Sequence, residues 1–163
     1  MTVLHSSGDA QGDTRDTQRL LVASHRVGGI RGVGRAVLAD RMKHFTPSEL
    51  SCKHCGEQKI AADFVDKLDT LRDLCGFPLP VTSGYRCPDH NEKVSSTGRT
   101  GPHSTGRAVD LGVRGEQALT VVRIALGLNF TGIGINQKGA ARFVHLDDLP
   151  NAPNQPRPHC WSY

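Results

Sequence analysis

The chain has 163 residues, 37% of them hydrophobic and 22% charged, with 18 Gly and 9 Pro, a balance that fits one folded core with many turns and excludes a disordered or fibrous protein. Its formal charge of +4 is scattered, with no run of basic residues, which argues against a nucleic-acid partner and suits an anionic polymer. No segment approaches the ~18–20 consecutive apolar residues of a membrane span, and the N-terminus lacks a basic start followed by an apolar run, so a chain cytoplasmic at synthesis, without a signal peptide, is expected.

Residues 1–41 hold no helical or strand period and read as a tail, while composition changes at Met42, itself a possible translation start. Residues 42–163 are then expected to form one domain. Thr46, Pro47 and Glu49 give a helix-start signal with cap, first-turn proline and capping-box acid. Over residues 61–74, Phe64, Val65, Leu68, Leu71 and Leu74 recur at three- and four-residue steps, which predicts a helix ended by Gly76 and Pro78. Residues 79–86 read as a turn into a short strand. The polar stretch 88–102 predicts a short helix near 91–94 and then a loop. A second strand is predicted over 108–113 and a crossover helix over 116–126, closed by Gly127. Residues 130–135 and 142–147 are two strands of a hairpin turned through 136–139. Residues 150–158 are Pro- and Asn-rich and irregular, and Trp161 and Tyr163 are expected to pack back on the domain.

Five cysteines, at 52, 55, 75, 87 and 160, form an odd count, which argues for reduced thiols over a fully paired secreted framework. Cys52 and Cys55 have the spacing of a metal knuckle, but a four-ligand zinc site needs two more ligands. His54, Cys75 and Cys87 are the nearby candidates. Plain buried thiols are the simpler alternative.

The chemistry concentrates in His103-Ser-Thr-Gly-Arg-Ala-Val-Asp110. An imidazole in a loop precedes a carboxylate in a predicted strand, with Gly106 between them where the backbone can turn. A catalytic zinc typically takes three protein ligands and keeps a fourth position open; His145, alone among apolar residues of the last hairpin strand, is the third donor. Taken singly, His145 reads as a satisfied core histidine and Asp110 as a turn cap. Taken together they point to a shared cation, because an aspartate in an apolar strand is costly to bury unless paired or metal-bound.

In chain order, Ser83-Gly84-Tyr85-Arg86, then His103 to Asp110 as H-x-x-G-x-A-x-D, then Phe143-Val144-His145, resemble the zinc D-alanyl-D-alanine carboxypeptidases. The likeness covers residues 43–149 and is nearest the small phage and bacterial members that include cell-wall endopeptidases and endolysins. It implies an α+β fold of the Hedgehog/DD-peptidase type, a small mainly antiparallel sheet with helices packed on one side. It also implies zinc (Zn2+) on His103, Asp110 and His145, with Arg86, Tyr85 and Ser83 facing a peptidoglycan stem peptide. Arg86 would hold a carbonyl or carboxylate, a task suited to a planar, permanently charged donor; its alternative is a surface salt bridge. Many relatives carry an acid three residues before the last ligand, where this chain has Arg142. Asp147, on the same side of its strand as His145, is the expected general base, with Asp148 and His159 as alternatives, or else Asp147 orients a ligand. A monomer acting on the cell wall after release is expected. The rival readings are a zinc-binding recognition module without turnover and a phage structural component.

Overall fold

Thr46 opens helix α1 (Pro47–Leu50) with both halves of a capping box: its hydroxyl accepts the Glu49 N–H, and the Glu49 carboxylate accepts the Thr46 N–H at 2.8 Å. The computed structural model describes residues 42–163; the tail expected over residues 1–41 lies outside the described residues. Helix α2 (Ala62–Cys75) follows the three-four period, with Phe64, Val65, Leu68 and Leu71 fully buried. Leu74 departs from that stripe and is 59% exposed. Gly76 closes the helix in the left-handed region at φ 70, a conformation glycine reaches without strain.

Five strands form one sheet: β1 (Val81–Ser83), β2 (Ala108–Leu111), β3 (Gly132–Asn136), β4 (Phe143–Asp147) and β5 (His159–Ser162), in the order β1-β2-β4-β3-β5. All neighbours are antiparallel except β3 and β5. Strands β3 and β4 make the expected hairpin. Helix α4 (Glu116–Gly127) carries the chain from β2 to β3, leaving a place between them that β4 fills. The left-handed residue after α4 is Asn129, at φ 58, and not Gly127.

Because side chains alternate across a strand, the sheet has two unlike faces. Val109 and Leu111 of β2, Ile133 of β3, and Val144 and Leu146 of β4 join the α2 residues and Ala118, Val121 and Ala125 of α4 in one apolar core. Each fully buried Leu or Phe of that layer contributes about 1.5–3 kcal/mol. The core must carry the fold, since the opposite face buries Asp110, His145 and Asp147. The two long helices therefore cover one side of a mainly antiparallel sheet, an α+β architecture of the expected kind.

The segment between β1 and β2 contains helix α3 (Pro88–Val94) and two 3-10 turns, Gly98–Thr100 and Pro102–Thr105. Helix α3 starts earlier than its apolar residues indicate, because Pro88 occupies the first position after Cys87. Strand β5 is the element absent from the sequence reading. Its four residues follow a Pro-rich loop, and its partner β3 is distant in sequence.

Candidate metal centre and active-site cleft

Strand register brings Asp110 of β2 directly opposite His145 of β4, so both side chains emerge on the face away from the helices. His103 arrives from the 3-10 turn Pro102–Thr105, which Gly106 ends at φ 75. A Cβ at Gly106 would collide with the Lys59 carbonyl, so only glycine turns the chain into β2 here. His103 Nε2 lies 3.2 Å from Asp110 Oδ1 and 3.2 Å from His145 Nδ1, and that Nδ1 lies 2.8 Å from Asp110 Oδ1. All three residues are buried.

The outer nitrogens of both rings are occupied. His103 Nδ1–H donates to the Gly84 carbonyl at 2.7 Å, and His145 Nε2–H donates to Asp147 Oδ2 at 3.2 Å. In a neutral ring these bonds leave His103 Nε2 and His145 Nδ1 as acceptors facing a carboxylate oxygen. Three lone pairs at this spacing repel unless a proton or a metal cation stands between them. Ligand atoms around a four-coordinate zinc, ~2.0–2.1 Å from the ion, lie about 3.3 Å apart, so the donor set fits.

The charges follow from the same contacts. Burial pushes the Asp110 carboxyl up, but hydrogen bonds with His103 and His145 outweigh it and hold the group below the usual carboxylate range. Burial lowers His103 against the pull of Asp110. For His145 burial also lowers, yet Asp110 and Asp147 together raise it.

Asp147, the expected general base, sits behind His145 and away from the cleft. It has no exposed surface, does not line the cleft, and is gripped by Arg157, whose Nε and Nη2 donate to its two oxygens at 2.8 and 2.6 Å. Burial alone would raise its pKa; His145 and Arg157 bring it to about 2. A carboxylate so engaged holds the His145 ring in place. Asp148 takes Arg107 and Lys67 and does not line the cleft. Arg142 donates to the Gly139 carbonyl.

Two glycines on β3 make room for this arrangement. A Cβ at Gly132 would overlap the Asp147 carboxylate, and one at Gly134 would stand 2.6 Å from the Trp161 ring. Gly134 pairs with His145 on one side and Trp161 on the other. The indole therefore lies over the gap, 5.2 Å from the His145 ring between centroids and 5.4 Å from the Arg157 guanidinium.

The triad opens into a cleft of ≈ 1240 Å³, lined by residues 94–97 and 100–102 and by residues 152–157, His159, Trp161 and Tyr163. Ser83 and Arg86 line it as well. Arg86 Nη2 donates to Asp110 Oδ2 at 2.6 Å and its Nε to Ser83 Oγ at 2.8 Å. Tyr85, expected to face the substrate, is 3% exposed and packs in the core, because neighbours on an extended segment point to opposite sides. His159 is exposed, lines the cleft and stacks on Trp161 at 5.8 Å. Sequence reasoning missed Arg157. It lies in a Pro-rich loop with no periodicity, and its only signal was a charge within an otherwise uncharged stretch.

The fold and site define a member of a peptidase family. The family model described as Peptidase M15 matches residues 43–147, and the chain belongs to that family. Among curated proteins it is similar to the peptidoglycan L,D-endopeptidase MepK of Escherichia coli strain K12 and of Shigella flexneri, each 28% identical over 99 residues, covering 57% of this chain and 53% of the relative. The chain thus spans about half the length of the curated relatives it matches.

Proposed function

We propose that this protein is a zinc-dependent peptidase that hydrolyses a peptide bond in the stem or crosslink of bacterial peptidoglycan. The observation that carries the reading is the meeting of His103 Nε2, Asp110 Oδ1 and His145 Nδ1 at the floor of an open cleft. Family membership and the likeness to MepK support it. Zinc held there would supply Lewis acidity at a scissile carbonyl and an acidified water.

The chain's own residues do the rest. Asp147, locked by Arg157, keeps the His145 tautomer with its bare nitrogen inward. Arg86 has two donors committed to Asp110 and Ser83, which holds the guanidinium beside the triad; its remaining donors serve a substrate carbonyl or carboxylate. Among the described residues lining the cleft, Asp110 is the one carboxylate and it belongs to the triad. The proton acceptor in this reading is therefore His159, whose ring the Trp161 stack fixes at the cleft wall. A wide cleft with an aromatic rim suits a branched glycopeptide better than a free dipeptide.

A second reading, a zinc-bound recognition module without turnover, draws on the same engagement of Asp147 and on Arg142 in place of an acid. Digestion decides between them. Zinc-loaded protein incubated with defined muropeptides, both crosslinked and uncrosslinked, should release shorter peptides by mass spectrometry, and His103→Ala should release none. Intact substrates retained on the protein would favour the recognition module.

A further inference from the structure

Three of the five cysteines form a cluster that the cleft does not use. The Sγ atoms of Cys52, Cys55 and Cys87 all lie within 4.8 Å of one another, and none is in a disulfide. Cys55 is exposed, so the group is not explained as apolar filling of the core.

Local structure explains the convergence. Residues 52–56 form a tight turn in which Gly56 N–H donates to the Cys52 carbonyl and Cys52 N–H to the Glu57 carbonyl, both at 2.8 Å. Gly56 takes φ 74, closing the turn just after the second thiol. Cys87 caps helix α3, and His90, three residues on, lies on the same side of that first turn. The His90 Nδ1 atom is 3.4 Å from Cys52 Sγ, which also accepts the Cys87 N–H at 3.3 Å. His54 stands at the other side, its Nδ1 3.4 Å from Cys87 Sγ.

We propose that Cys52, Cys55, Cys87 and His90 hold a structural zinc ion in a closed Cys3His site. The two halves, Cys-x-x-Cys in a turn and Cys-x-x-His at a helix start, are the two-residue spacings from which four-ligand zinc sites are built. Thiolates bound at ~2.3 Å from zinc stand about 3.8 Å apart, within the spread found here. On binding, three thiol protons leave to solvent and the imidazole binds neutral. His54 Nδ1 stands at the same 3.4 Å from a cluster sulfur as His90 Nδ1, and the Cys-x-x-His spacing favours His90 as the fourth ligand. Cys75, at the end of α2, lies outside the cluster, which corrects its place among the candidate ligands.

The site joins the turn 52–56 to the segment that carries Ser83 and Arg86 and whose Gly84 carbonyl orients His103. Tyr85 N–H already donates to the Leu50 carbonyl at 2.9 Å across this junction. A cation here stiffens one wall of the cleft. The proposal does not depend on the catalytic reading, because its signature is sulfur ligation.

Cobalt substitution of the full chain tests it. Thiolate-to-cobalt charge-transfer absorption in the near ultraviolet should appear in the unaltered protein and equally in His103→Ala, whereas the His103–Asp110–His145 centre has no sulfur to produce it. Cys55→Ser should abolish the band, and His90→Ala should weaken cobalt binding at least about tenfold. For variants that fail to fold, maleimide labelling of the unaltered protein gives the second measurement. With zinc present, Cys52, Cys55 and Cys87 should be protected and Cys160 labelled; a chelator should release the three protected thiols. Stoichiometric cobalt without a thiolate band, or Cys55 labelled equally fast with and without chelator, would overturn the proposal. Loss of binding in His54→Ala but not in His90→Ala would overturn the fourth ligand.

Discussion

Arg157 illustrates how much of this site depends on a residue that touches no ligand atom. Its guanidinium is the main compensation for Asp147, a carboxylate with no exposed surface whose other contacts are His145 and the Leu149 N–H. Removing one partner of a buried pair costs about 3–5 kcal/mol, so Arg157→Ala should lower the thermal midpoint of the metal-free protein by a corresponding amount, measured by calorimetry. Asp147→Asn keeps the shape but weakens the hold on His145; zinc affinity by competitive chelation should fall about 10–100-fold. His159→Ala should retain zinc at full affinity and lose most muropeptide turnover. Unchanged turnover there would remove His159 as proton acceptor. At this scale the meeting of His103, Asp110 and His145 was legible, since a histidine and an aspartate in apolar strands are conspicuous. The role of Asp147 was not: strand alternation put it on the right face, but its salt bridge comes from a loop residue ten positions on, with no local pattern to announce it. The same holds for His90, whose spacing from Cys87 repeats that of Cys52 and Cys55 yet lies outside the segment where a knuckle draws attention.

Strand β3 works by what it lacks. Its alternation of Gly132 and Gly134 with Ile133 and Ile135 puts apolar branches on the core and vacant positions on the site face, where the Asp147 carboxylate and the Trp161 ring fit. Gly134→Ala should cost about 1–3 kcal/mol by overpacking and move Trp161 off His145, read as a change in indole fluorescence together with a lower thermal midpoint. A variant with native stability and fluorescence would show that the space is not needed. Helices α2 and α4 were readable because a three-four period is a local signal, and β2, β3 and β4 because short apolar runs bounded by Gly, Pro and Asn have few other uses. Strand β5 was not readable: a four-residue run of His, Cys, Trp and Ser has no period, and it becomes a strand only by pairing with β3.

Over the whole molecule, the sheet separates two tasks, with an apolar core on the helix side and buried charge on the other. If zinc binds as proposed, such a molecule should gain stability from it: zinc at a hundredfold excess over Kd adds about 2.7 kcal/mol per site. Chelation should lower the unfolding temperature, and re-addition should restore it. The fold class followed from the order of motifs, while the cleft did not, since its walls are loops whose shape depends on the finished sheet. The most direct measurement is anomalous diffraction at the zinc edge from crystals grown with zinc. The account predicts a peak bounded by His103 Nε2, Asp110 Oδ1 and His145 Nδ1, open toward Arg86 and the cleft. A zinc-replete crystal with no peak among those three atoms would contradict it.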